Sequence, residues 1–135
     1  SLPIAGYDED FLFISYKHDD IGKVEGIVGE MIAWGYPIWY DRGIPGGSEW
    51  DEEIEQRIER CRVLVVFLSN AAVESKYVRR EVKFADTLKK PLIGVCLEQV
   101  NLAHGLRMLM QQYQMLDAGR QHFQMQLRDA LQRQF

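Results

Sequence analysis

Val63-Leu64-Val65-Val66-Phe67-Leu68 is apolar at all positions and runs directly into Ser69-Asn70. A short apolar run without alternation, closed by polar residues, describes a strand covered on both faces, as at the centre of a parallel sheet. Parallel neighbours need crossover connections, usually helices, and both flanks supply them. Downstream, Val78, Val82 and Ala85 recur at helical spacing and mark an inward face. Upstream, Trp50, Ile54, Ile58 and Cys61 form a second helical stripe.

The same alternation continues outward in both directions. Phe11-Leu12-Phe13-Ile14-Ser15-Tyr16 reads as a first buried strand, and Lys17-His18-Asp19-Asp20 as a loop whose Asp19 or Asp20 can cap a helix. Ile21, Val24, Ile27, Val28, Met31 and Ile32 define that helix, and Gly35 supplies its stop. Gly22, Gly26 and Gly29 lie inside it, a spacing that predicts close packing on a neighbour. Tyr36-Pro37-Ile38-Trp39-Tyr40 is a second strand, sent by Pro37 toward a sheet edge. Residues 41–48 carry turn chemistry throughout. Past the central strand, Pro91–Leu97 reads as a fourth strand and Leu102, Leu106 and Leu109 as a short helix. Tyr113–Leu116 is a fifth strand, and Asp117 is placed to cap a last helix through Phe123, Leu127, Ala130 and Leu131.

Five strand–helix units predict one α/β domain, with a doubly wound, flavodoxin-like, five-stranded parallel sheet and helices on both faces. The expected strand order is 2-1-3-4-5, which places the switch point between strands one and three. Ligands of such folds bind beyond the carboxyl ends of the strands, so the loops after Ser15 and after Ser69 should flank a crevice. Glu81 falls near its edge, on the same helix face as Val78 and Val82. An inward carboxylate is costly unless it is paired, at the lip of a cavity, or retained for chemistry. Lys17, Arg79 and Arg80 are the candidate structural partners.

Composition excludes several classes. At 135 residues, 47% hydrophobic and 27% charged, the chain fits one ordered domain with a sizeable core. A net charge of −4 argues against direct nucleic-acid binding. The basic residues Lys76, Arg79, Arg80 and Lys83 are matched by Glu74, Glu81 and Asp86, as on a solvated helix face. No apolar run reaches the ~20 residues a membrane span needs. Cys61 and Cys96 lack metal-ligand spacing, and a reducing, cytoplasmic setting fits them. The start at Ser1-Leu2-Pro3 and the stop at Phe135 within a helical pattern read as a single domain, 1–135, excised from a longer protein.

Motifs separate the doubly wound folds. The first strand is followed by Ser15-Tyr16-Lys17-His18, with no glycine for a dinucleotide fingerprint or a P-loop. Strand three ends in Ser69-Asn70 rather than the aspartate a phospho-receiver needs. Phe11–Tyr16, then Trp39-Tyr40-Asp41 with Ile44-Pro45-Gly46-Gly47-Ser48, then Leu68-Ser69 with Ser75-Lys76-Tyr77-Val78-Arg79-Arg80-Glu81, together resemble the TIR (Toll/interleukin-1 receptor) domain. The three motifs match its first strand, its second strand with the glycine-rich BB loop, and the Ser…Trp-x-x-x-Glu segment of its NAD-consuming members. The resemblance covers about Asp10 to Leu97, and the wording of the loop is most similar to bacterial members.

The resemblance implies an enzyme that cleaves the nicotinamide–ribose bond of NAD in immune or anti-phage signalling, with Glu81 as the catalytic carboxylate. Tyr77 stands where the family often has Trp and keeps a π-face. Candidate substrate-binding residues are Ser15, Tyr16, Lys17, Ser69, Ser75 and Tyr77. Ser69 and Ser75 are equally placed to cap the helix, and Lys17 either faces a pyrophosphate or is a solvated loop lysine. Asp41, Ile44, Pro45, Gly46, Gly47 and Trp50 are the candidate loop and assembly residues, because that loop in the family helps complete a neighbour's site, sometimes in filaments. NAD is substrate, so no cofactor and no metal are expected. The alternatives are a non-catalytic module signalling by TIR–TIR contact, and an enzyme resembling the deoxyribosyltransferases. The inward Glu81 favours chemistry, since a pure scaffold has no need of it.

Overall fold

A computed structural model describes the backbone of residues 3–6, 8–41 and 48–135, and the side chains of the same residues except 48–50. The strands are β1 (Leu12–Ser15), β2 (Ile38–Tyr40), β3 (Val63–Leu68), β4 (Leu92–Cys96) and β5 (Gln114–Asp117). The helices are α1 (Ile21–Ala33), α2 (Ser48–Arg60), α3 (Asn70–Val73), α4 (Lys76–Thr87), α5 (Leu106–Met110) and α6 (Phe123–Gln134), with a 3₁₀ turn at His18–Asp20 before α1. The sheet is entirely parallel, in the order β2-β1-β3-β4-β5. This is the architecture expected from the strand–helix alternation.

Side chains alternate along each strand, so the sheet sends one set to each face. On β3, Leu64, Val66 and Leu68 join Phe13, Trp39 and Ile58 beneath α2 and α4, together with Val78 and Val82. Val63, Val65 and Phe67 turn the other way, onto Val24, Val28 and Met31 of α1 and Leu127 and Leu131 of α6. All six β3 side chains are buried, which is why the strand carries no alternation. Pro37 precedes an edge strand as expected. Along β2, the Ala5 N–H donates to the Ile38 carbonyl at 2.7 Å, and the buried Arg57 donates to the Ala5 carbonyl at 3.0 Å. Gly35 ends α1 in the left-handed region, φ 98°, and the Tyr36 N–H reaches back to the Met31 carbonyl at 3.2 Å.

Several expectations are corrected. Gly22, Gly26 and Gly29 pack on nothing: a Cβ at any of them meets no atom within 4 Å. Asp20 occupies the cap position of α1, but its carboxylate accepts from Ser69 Oγ at 2.5 Å instead of capping. Asp117 caps no helix either; it accepts the Gly119 N–H at 2.8 Å in a local turn, and α6 begins at Phe123. After β3 the chain forms two helices rather than one. Ser69 caps α3 through the Ala72 N–H at 3.0 Å, and Ser75 restarts the chain by capping α4 through the Val78 N–H at 3.3 Å. Each serine thus satisfies a helix-end N–H that has no partner in its own helix.

Candidate active site

The inward face of α4 carries Val78, Glu81, Val82 and Ala85, all buried. Glu81 is 8% exposed, and its Oε1 accepts a 2.7 Å hydrogen bond from Ser15 Oγ at the carboxyl end of β1. The candidate ion pairs are absent. Arg79 donates to the Val73 carbonyl, and Arg80 reaches Asp51 at 3.5 Å, so neither neutralises the carboxylate. Among the described residues no salt bridge to Glu81 forms from Lys17 or any other cation. Burial therefore dominates its charge state and pushes the carboxyl up to about 8. The Ser15 hydrogen bond opposes that rise, the Asp41 charge adds to it, and Arg80 opposes it from a distance.

Glu81 lines a cleft of about 290 Å³ between α2 and α4, with Ile54, Ile58 and Phe84 as its apolar wall. Tyr77, Arg80, Lys83, Asp51 and Glu55 complete the lining. The volume lies at the small end of the range for ligand pockets, room for a ring and a sugar rather than for a whole dinucleotide. Tyr77 lines this cleft and is 58% exposed.

The Ser69–Asp20 hydrogen bond spans the loops after β1 and β3. Glu81 lines the space between the two helices α2 and α4. Ser15 and Tyr16 point to opposite faces of the sheet. The Tyr16 phenol donates to the Asp41 carbonyl at 2.9 Å, pinning the start of the loop after β2, and burial, then the Asp41 charge, hold it well above the ordinary phenol range. Lys17 is half-buried and does not line the cleft, and Ser69 and Ser75 are occupied as caps. Asp41 is half-buried near Glu81. Ile44, Pro45, Gly46 and Gly47 lie outside the described residues, as does the side chain of Trp50. The sequence reading missed the α2 wall: Ile54 and Ile58 carry the spacing of core residues, and no local signal shows that two packed helices part above them.

A doubly wound parallel sheet with a buried carboxylate on the helix pair after its third strand defines the class. A sequence model of the TIR domain matches residues 12–133, so the chain belongs to the TIR-domain family. No curated protein matches by sequence. Among solved structures, the TIR domain of the Toll-related receptor TRR-2 from Hydra magnipapillata superposes with a TM-score of 0.73, covering 89% of this chain and 97% of that one at 17% identity. A CMP N-glycosidase from Clostridium botulinum, BcmB, gives a TM-score of 0.66 at 16% identity, covering 90% of this chain and 99% of its own. The TIR domains of the activated Roq1 resistosome give 0.56 at 18% identity, over 67% of this chain and 58% of theirs. At such identities the likeness is one of fold.

The buried carboxyl has a consequence for stability. The folded protein keeps the Glu81 proton up to about pH 8, whereas an unfolded chain releases it near 4.5. Between those values the folded state binds more protons, so stability is full below about pH 4.5 and falls as pH rises through 8. The loss from this group is on the order of a few kcal/mol. Denaturant melts from pH 5 to 9 should show that decline, and Glu81→Gln should flatten it. An equally steep decline in the variant would place the titrating group elsewhere.

Proposed function

We propose that this domain cleaves the nicotinamide–ribose bond of NAD, releasing nicotinamide and ADP-ribose or a cyclic isomer, in cytoplasmic immune or anti-phage signalling. The observation that carries the reading is Glu81, a buried carboxylate with no salt bridge among the described residues that lines a ring-sized cleft with an apolar wall. A buried carboxylate held by one hydroxyl and by no salt bridge among the described residues supports a role in chemistry.

The reaction suits the site. The C1′–N bond breaks with its electron pair going to the pyridinium nitrogen, so nicotinamide departs neutral and needs no general acid. Positive charge develops on the ribose, as in glycoside hydrolysis. Glu81, once ionised, offers a preplaced negative charge in a water-poor site where such stabilisation is large. Ile54, Ile58 and Phe84 give the ring an apolar seat, and Tyr77 a stacking face. Water bonding to C1′ and losing a proton to solvent gives ADP-ribose; a nucleophilic atom of the same molecule attacking there gives a cyclic product. Incubation with NAD followed by mass spectrometry tests this directly. Absence of nicotinamide at high protein concentration would leave a TIR–TIR interaction module.

A second reading has its own support. Glu81 holds its proton at neutral pH, which suits it to protonate a departing neutral base, and a structure of like fold belongs to a CMP N-glycosidase. Release of cytosine from CMP is therefore the matched control.

Assembly belongs to the same proposal. Residues 41–50 combine glycine-rich turn chemistry with Ile44 and Trp50, the composition of a contact loop. We expect specific activity to rise with protein concentration, because head-to-tail contact with a second copy completes the site. Full specific activity in a sample shown to be monomeric by ultracentrifugation would remove assembly from the mechanism.

A further inference from the structure

Ser15 ends β1 with its side chain directed at α4, and it is 0% exposed. Its hydroxyl donates to Glu81 Oε1 at 2.7 Å, a contact between residues 66 positions apart. Among the described residues no second hydrogen-bond donor reaches the carboxylate. Ser15 does not line the cleft, whereas Glu81 does. A hydroxyl with no exposed surface and its proton already committed is poorly placed to touch a ligand. What it does is hold one carboxylate oxygen at the end of β1, in a side chain that lines the cleft.

We propose that Ser15 is the positioning residue of Glu81, fixing one carboxylate oxygen so that the other meets the reacting sugar, and that it makes no contact with substrate. This rests on the reading of Glu81 as the catalytic group. The hydrogen bond acts on charge as well as on direction. A hydroxyl donating to a carboxylate favours the ionised form, and here it works against burial. Among the described residues, the other charged or titratable groups around Glu81 are Tyr16 just after β1, Asp41 after β2, Asp51 and Glu55 on α2, and Tyr77, Arg80 and Lys83 on α4. Among the described residues none of them supplies a hydrogen bond to its oxygens, and Ser15 alone does.

The test is a titration of the Glu81 side-chain carboxyl by ¹³C NMR in the parent, Ser15→Ala and Ser15→Cys, with NAD cleavage measured on the same samples. Ser15→Ala should move the midpoint to higher pH. At pH 7 it should lower kcat about 10- to 100-fold, the loss expected for a hydrogen bond to a charged group, with KM for NAD unchanged. Raising the pH should recover part of that loss. Ser15→Cys, with its weaker donor, should fall between the two, and it carries the same measurement if the alanine variant does not fold. A higher KM with an unmoved midpoint would make Ser15 a substrate contact. A lower melting temperature with unmoved midpoint and kcat would make it only structural; either result overturns the proposal. The midpoint is read without turnover, so a shifted midpoint in a protein that releases no nicotinamide would overturn the NAD reading while leaving the Ser15–Glu81 coupling standing.

Discussion

Glu81→Gln is expected to reduce nicotinamide release about 100- to 1,000-fold, on the order of 3–4 kcal/mol of transition-state stabilisation, while raising the melting temperature above that of the parent at pH 8 and beyond. The two effects have one cause. The parent keeps a carboxyl in a site that penalises its ionised form, and among the described residues no salt bridge forms to it, Arg80 opposing the penalty only from a distance. Glutamine keeps the shape and still accepts the Ser15 hydroxyl, but it carries neither the cost nor the negative charge that the developing ribosyl cation requires. A buried ion pair makes the opposite forecast: removing one partner typically destabilises by about 3–5 kcal/mol. Thermal melts and nicotinamide release on the same samples separate the two. A well-folded Glu81→Gln protein that cleaves NAD at the parent rate would take Glu81 out of the mechanism and favour the interaction module.

The parts of the fold that were legible are those where burial acts on a whole element. Val63–Leu68 shows no alternation because both faces of β3 are covered, and that pattern is visible in one dimension. Glu81 was legible for the same reason: helical spacing assigns it a face, and its charge conflicts with that face. The positions that misled depend on which of several partners a short polar side chain selects. Asp20 has the chemistry of a cap, yet it takes the Ser69 hydroxyl that the topology brings beside it. Asp117 closes its own turn before a helix can begin. Gly22, Gly26 and Gly29 satisfy a packing spacing on a helix side that meets open space. The cleft lay beyond reach altogether, because its wall is made of residues whose spacing is that of core, and only the separation of α2 from α4 turns them into a lining.

The pH dependence of cleavage decides which leaving group the site was shaped for. If the substrate is NAD, the reactive form carries ionised Glu81, because a pyridinium leaves without a proton and the cation left behind needs a negative neighbour. kcat/KM reports the free enzyme, whose carboxyl is held at about 8. It should therefore climb close to tenfold per pH unit on the acid side, roughly 50-fold from pH 6 to 8, and then level off. The limb in kcat should lie at lower pH, since a bound pyridinium beside the carboxylate favours its ionised form. A neutral base such as cytosine requires the reverse: protonated Glu81 serves as the acid, and kcat/KM falls above pH 8. Measuring nicotinamide release from NAD and cytosine release from CMP from pH 6 to 9.5, in the parent and in Glu81→Gln, resolves the choice. A profile for NAD that is flat or falls with pH would mean that ionised Glu81 is not the working form.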